Sequence, residues 1–275
     1  MSTTWSKRPV EWTEDQTAFV SVPFTWLLPK AYQRCVWLKA QGYHVRAGGP
    51  AVSLMPDYLK DVAQIGGEVN ALPRHNPEAC RTTLGCDGGC TFCAVRVTEG
   101  AFRELSAWDP KRIVCDNDLL ASSRNHFDCV IDSLKHIKGV DFNQGLNARR
   151  LRSWHIDRLK DLDKPMIRFA WDNINDEKAV VEAVNSIISA GMAKSRISIF
   201  VLFGFEDTPD DTLYRLVTTR DVLKVTPYPM RYQPLNALKM NAYVAPGWTD
   251  KQLHQYTRYW TRQRFLRQIP FADYK

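Results

Sequence analysis

From Cys80 to about residue 232, short apolar runs rich in β-branched and aromatic residues alternate with longer stretches whose apolar positions recur at helical spacing. This is the pattern of parallel β/α units. Six strands are predicted: Cys80–Gly85, Arg112–Asp116, Val140–Gln144, Met166–Trp171, Ile197–Phe203 and Met230–Gln233. Helices are predicted at Asn125–Ile137, Trp154–Leu162, Glu177–Ala190 and Asp210–Leu223. Asp210 and Asp211 after Pro209 read as a helix start, because acidic side chains suit the positive end of the helix dipole; Gly191 reads as a stop. Six units are two short of a closed eight-strand barrel, so an open α/β sheet is expected, with its chemistry at the C-terminal strand ends. Residues 18–60 form a separate β-α-β half-unit: a strand A-F-V-S-V-P-F, a helix from about Pro29 to Gln41, then H-V-R-A-G-G-P-A-V. The predicted division is an N-terminal cap (1–75), an α/β body (76–235) and a C-terminal extension (236–275).

With 275 residues and 44% hydrophobic content, the chain has enough apolar side chains for a full core. The N-terminus lacks the apolar stretch of a signal peptide, and no run approaches the 18 or so apolar residues that span a bilayer. A soluble, cytoplasmic protein without a membrane partner is expected. Seven cysteines, an odd number, argue against a disulfide framework and for a reducing compartment. Cys35, Cys115 and Cys129 are expected as small buried hydrophobes, and Cys80 as a structural residue. Lys and Arg exceed Asp and Glu by 37 to 30, a net charge of +7 that favours polyanionic partners.

Cys86, Cys90 and Cys93 lie in L-G-C-D-G-G-C-T-F-C-A-V, a C-x3-C-x2-C spacing that supplies three thiolates in one loop and no fourth. An iron–sulfur cubane takes one thiolate per iron, so three cysteines leave one iron open to a small molecule. A structural zinc loop completed by Cys80 or His75 is the alternative, as is a cluster of buried thiols. The spacing, with Phe92 just before the third cysteine, resembles the signature of the radical S-adenosylmethionine (SAM) superfamily. The resemblance extends by pattern over roughly residues 80–235 and implies a partial (β/α)6 barrel. It implies a [4Fe-4S] cluster on Cys86, Cys90 and Cys93, whose fourth iron chelates SAM. It also implies an electron donor such as flavodoxin or ferredoxin, and a 5′-deoxyadenosyl radical that abstracts hydrogen from substrate.

The resemblance further suggests roles at the strand ends. Asp116 and Asn117 follow the second strand, where the family contacts the SAM ammonium; the alternative is an Asx turn. Gln144, Asn147 and Arg149 leave the third strand, with Arg149 the choice for the SAM carboxylate unless it is a surface charge of the R-R-L-R run. Arg168 and Trp171 belong to the fourth strand, and Asp172 at its end is the candidate for a ribose hydroxyl. Gly204 would allow close approach to adenine, with Phe203 or Phe205 stacking on it. The N-terminal half-unit resembles a fragment of a cobalamin-binding domain, but no D-x-H-x-x-G motif is present and no bound cobalamin is expected.

The tail from His254 to Gln268 interleaves Arg258, Arg262, Arg264 and Arg267 with Tyr256, Tyr259, Trp260 and Phe265. Arginines neutralise phosphates and aromatic faces stack on bases, so Arg258, Trp260, Arg262 and Arg264 are expected to grip nucleic acid. The other reading is an amphipathic helix with Leu253 and Trp260 in the core. The function expected is radical hydrogen abstraction from a nucleic-acid base or its substituent, DNA before RNA. The short body with its cap looks like phage-encoded radical SAM isomerases that move a glycine on the 5-methyl carbon of thymidine from nitrogen to carbon attachment. RNA, peptide or metabolite substrates are alternatives, as is a zinc-bearing nucleic-acid-binding protein without enzymatic activity.

Overall fold

Within Thr17–Ser21, partly exposed and buried positions alternate from Thr17 to Val20, the period of a strand with one face inward. In the computed structural model, which describes residues 5–66, 71–266 and 268–274, this strand (β2) pairs antiparallel with β1 (Val10–Glu14) and parallel with β3 (His44–Gly48). A short β4 (Gln64–Ile65) adds to β3, giving the order β1-β2-β3-β4. Between β2 and β3 runs α1 (Leu28–Ala40), with Pro29 in its first turn, where a missing N–H costs nothing. Its buried stripe of Leu28, Ala31, Cys35 and Leu38 shares a core with Ala18, Val20, Val45 and Ala47. Burial pushes the Cys35 thiol up to about 11, so it serves as a small apolar side chain, as expected. The β-α-β half-unit predicted for residues 18–60 is therefore present.

The fold is mixed α/β, and its chain divides into two units. The first comprises Met1–Cys80, Gly85–Ala101 and Gln233–Tyr243. Besides the elements above it holds α2 (Pro50–Leu54), α3 (Leu72–His75), β5 (Ala79–Cys80) and α4 (Val95–Thr98). The cysteine loop, which the sequence reading assigns to the α/β body, thus groups with the N-terminal segment.

The second unit comprises Arg81–Leu84, Phe102–Tyr232 and Val244–Lys275. It starts with a small antiparallel pair, β6 (Thr83–Leu84) and β7 (Arg103–Glu104). Strands and helices then alternate: β8 (Ile113–Val114), α5 (Arg124–Leu134), β9 (Asp141–Phe142), α6 (Ser153–Leu159), β10 (Ile167–Ala170), α7 (Glu177–Ser189), β11 (Ile197–Phe203), α8 (Pro209–Val217) and β12 (Thr226–Arg231). β8 pairs parallel with β9, and β10, β11 and β12 form a parallel sheet in that order. Parallel bridges Asp141↔Met166 and Leu146↔Phe169 connect the two groups. The strands therefore succeed one another in chain order, and among the described residues no sheet closes into a barrel.

Helices α5 to α8 lie where the periodicity places them, and Thr208 and Asp211 cap α8 reciprocally. Past Val217 the chain continues as a π-helical turn, Thr218–Val222. The predicted first strand is broken, because the Thr82 and Thr83 amides donate to the Asp116 carboxylate. The predicted sixth strand begins earlier, at Thr226. Pro227 and Pro229 obscure it in the sequence, and an edge strand accommodates them because one row of its N–H groups needs no partner. Cys115 is buried as expected, but Cys129 is exposed. The buried face of α5 carries His126, Phe127, Val130, Ile131 and Leu134, and Cys129 falls opposite.

The tail folds as α9 (Asp250–Thr261), capped reciprocally by Thr249 and Gln252, with Leu253, Tyr256, Tyr259 and Trp260 buried. No described helix is long and apolar enough to cross a membrane.

Candidate functional site

In the first unit, the cysteine loop is pinched shut at its base. Gly85 has φ +73, and a Cβ there would stand 2.2 Å from the Ala101 carbonyl oxygen, so only glycine allows the two ends to meet. Its amide donates to Glu99 Oε2 at 3.0 Å, just past α4. Within the loop the Cys93 amide donates to the Cys90 carbonyl at 3.2 Å, and the Gly88 amide to Cys86 Sγ at 3.2 Å. A Cβ on Gly88 would lie 3.2 Å from Cys86 Sγ and 3.8 Å from Cys90 Sγ. The two sulfurs thus flank one bare Cα, leaving a cradle that any larger residue would fill. Cys86 and Cys93 are half-buried and Cys90 is exposed.

These features fit an iron–sulfur cluster: three soft donors, a backbone N–H aimed at one sulfur, and glycine where a side chain would crowd two of them. Among the described residues, no three His, Cys, Asp or Glu side chains gather closely enough to share one metal ion. A cubane does not ask for that, since each thiolate serves a different iron. His75, one of the two alternative zinc ligands, has Nε2 3.0 Å from Ser21 Oγ, and burial lowers its pKa.

In the second unit, the residues expected to bind SAM differ in how far they are already engaged. Asp116 is buried, and its oxygens accept from the Thr82 amide (2.7 Å), Thr82 Oγ1 (2.6 Å) and the Thr83 amide (2.8 Å). Burial pushes its pKa up and these bonds pull it back. It ties Thr82–Thr83 to the end of β8, close to the turn-capping alternative. Asn117 follows it, partly exposed, and Gln144 is exposed. The Arg149 guanidinium pairs with Asp176, and its amide donates to Asn147 Oδ1 at 3.1 Å. The carboxylate role assigned to Arg149 thus meets a side chain already neutralised. Arg168 forms a two-pronged pair with Asp141, both bonds 2.7 Å.

Phe203 is 1% exposed and packs among Trp248 and Tyr256. It has no free face for adenine, because position 203 is an inward one of β11; the partly exposed ring is Phe205, 4.6 Å from Tyr232. Gly204 has φ +72, but a Cβ there would stand 2.7 Å from Leu253 Cδ2, so it admits α9. Its amide donates to Asp207 Oδ1 at 2.9 Å.

The residue that organises these strand ends was not singled out in the sequence. Arg215 on α8 is fully buried and donates to the carbonyls of Trp171 (2.7 Å) and Leu202 (2.9 Å), while pairing with Asp207. One guanidinium thus joins the ends of β10 and β11 to the turn before α8. Its helical position was the available signal: Thr212, Arg215 and Leu216 form the inward stripe of α8.

Asp172, just beyond β10, has its carboxyl raised from 3.8 to about 6 by desolvation, against the pull of Arg215 and with Asp176 adding to the rise. Between about pH 4 and 6 the folded state therefore binds a proton that the unfolded chain releases, and stability falls as pH rises through that window. The stability advantage of the parent over Asp172→Asn should shrink by at most about 3 kcal/mol from pH 4 to 7 and then level off. Urea titrations of both proteins measure this, and a difference flat across the window would show that Asp172 titrates normally.

On the tail, Arg258, Arg262 and Arg264 are exposed and Arg267 lies outside the described residues. Trp260 is 1% exposed, a core residue rather than a stacking platform, because it shares the inward stripe of α9 with Leu253 and Tyr256. The exposed aromatic is Phe265, at 91%. No protein-family model matches the chain, and no curated protein aligns with it.

Proposed function

We propose that the protein is a radical SAM enzyme built on an open partial (β/α) barrel and acting on a nucleic-acid base or its substituent. The reading rests on the Cys86–Cys93 loop, where Gly88 leaves the Cys86 and Cys90 sulfurs room and donates its amide to one of them. A [4Fe-4S] cluster bound there would supply the electron that cleaves SAM. The Gly88 N–H points at the Cys86 sulfur and would give a thiolate there a charge-assisted hydrogen bond. The Gly85 pinch and the Glu99 contact fix the span over which the cysteines are presented.

Parallel strands that follow one another in chain order, with a helix between each pair, support the barrel reading. At their ends Asp172 offers an acceptor for a ribose hydroxyl and Phe205 a ring for a base. Exposed Arg258, Arg262 and Arg264, with Phe265, support a nucleic-acid substrate.

Anaerobic reconstitution with iron and sulfide tests the reading. The expected result is about four irons and four sulfides per chain, and 5′-deoxyadenosine from SAM and dithionite, formed faster with DNA present. Protein that takes up zinc and neither iron nor sulfide would overturn it.

A further inference from the structure

A second site lies within the second unit at the opposite, N-terminal ends of the strands. A cleft of about 690 Å³ is lined by Lys194, Ser195, Arg220, Lys224, Gln263 and Arg264, with Asp221, Val225 and Thr226 beside them. Lys194 and Ser195 lie in the turn before β11, and Lys224 and Val225 precede β12. The seven residues of β11 put this cleft about 20 Å from the strand ends that carry Gly204 and Asp207. We propose that the cleft binds phosphate groups.

Charge is the first reason. Four cations face one carboxylate, and Asp221 is taken by Arg220 through bonds of 2.8 and 2.7 Å. Among the described residues no ion pair holds Lys194, Lys224 or Arg264. Three positive charges around one concavity repel each other until an anion enters. Phosphate, with its several acceptor oxygens, suits such a group and the neutral donors Ser195 and Thr226.

The second reason is a buried amide without a partner. Gln263 is 5% exposed and lines the cleft, yet its Oε1 has no hydrogen-bond partner. A buried carboxamide oxygen left unpaired is costly, and the torsion that carries it is two-fold, so the same group turns to offer Nε2. A phosphate oxygen accepts from that nitrogen, and a ligand hydroxyl donates to the oxygen.

Backbone irregularity is the third. The π-helical turn Thr218–Val222 carries Arg220 and Asp221, and such turns gather at functional sites. Two residues on, Lys224 holds φ 61, a left-handed conformation that lysine seldom adopts. Arg220 is fixed further by Trp260, 4.7 Å beneath its guanidinium, and by the Tyr259 hydroxyl at 3.3 Å. Arg220 is thus held in place before any ligand arrives, and the volume of the cleft suits a nucleotide.

The phosphate comes either from a nucleic-acid backbone or from a free nucleotide, and two probes separate these sources. The full chain is titrated with a fluorescein-labelled single-stranded DNA 20-mer and, separately, with ATP, at several salt concentrations. Lys194→Ala/Lys224→Ala should weaken binding of the true ligand by about tenfold or more, and should flatten the log–log salt slope for DNA by about 1 to 2. Both lysines are exposed, so the fold should be intact, and Lys178→Ala on α7 serves as a charge control expected to behave as the parent. Loss confined to the 20-mer assigns the cleft to a nucleic-acid backbone, and loss confined to ATP assigns it to a nucleotide. Parental affinity of the double variant for both probes, an equal loss in the control, or no binding of either probe by the parent overturns the proposal. The site uses residues of the second unit alone, so these outcomes are independent of iron loading.

Discussion

Alanine at Cys86, Cys90 or Cys93 is expected to reduce 5′-deoxyadenosine formation to background, each substitution alone being sufficient. In a cubane every thiolate serves its own iron, so removing one exposes an iron rather than sharing its load among the remaining ligands. The thermal transition of the cluster-free protein should move little, because Cys86 and Cys93 are half-buried and Cys90 is exposed, and losses at such positions are usually within about 0.5 kcal/mol. Cys129→Ala is the matching control, exposed on α5 and outside the loop, and it should keep full activity. Liquid chromatography of 5′-deoxyadenosine, with iron and sulfide assays on each variant, reads both effects. Any loop variant that forms product at the parental rate would show that the cluster is misassigned.

Arg215→Ala should cost about 3 to 5 kcal/mol of stability, because it removes one partner of a buried ion pair and leaves the other uncompensated. It strips the partner from the Asp207 carboxylate and removes the donors that serve the Trp171 and Leu202 carbonyls. Lysine keeps the charge but lacks the planar fork that reaches two carbonyls and a carboxylate together, so Arg215→Lys should recover only part of the loss. Urea unfolding measures both variants. A cost below about 1 kcal/mol for the alanine variant would mean that water replaces the guanidinium. The Asp172 carboxyl should also rise further, since Arg215 is the neighbour that holds it down.

Much of the framework was legible because hydrophobic period survives in a single sequence. Helices α5 to α8 follow their apolar stripes, and strand β11 is an apolar run with nothing to disguise it. Strand β12 was misplaced because Pro227 and Pro229 argue against a strand until its edge position is known. The cysteine loop stands out in the sequence because three donors fall inside eight residues. Side-chain roles at the strand ends were not, because they depend on which way a residue faces. Phe203 and Trp260 turn inward, and Arg149 meets Asp176 from 27 residues away. The basic cleft was invisible for the same reason, since Lys194, Lys224 and Arg264 become neighbours only after folding.

Neither unit is one continuous length of chain. The backbone passes from one to the other after Cys80, Leu84, Ala101, Tyr232 and Tyr243, five passages in all. No single cut therefore yields either unit alone, since the first still needs residues 233–243 and the second residues 244–275. A fragment ending near residue 100 would lack Gln233–Tyr243 of the first unit, and one starting near residue 102 would lack the buried Thr82 and Thr83 of the second. Most of the chain must therefore be made before either unit has all of its residues, the one that carries Cys86, Cys90 and Cys93 included.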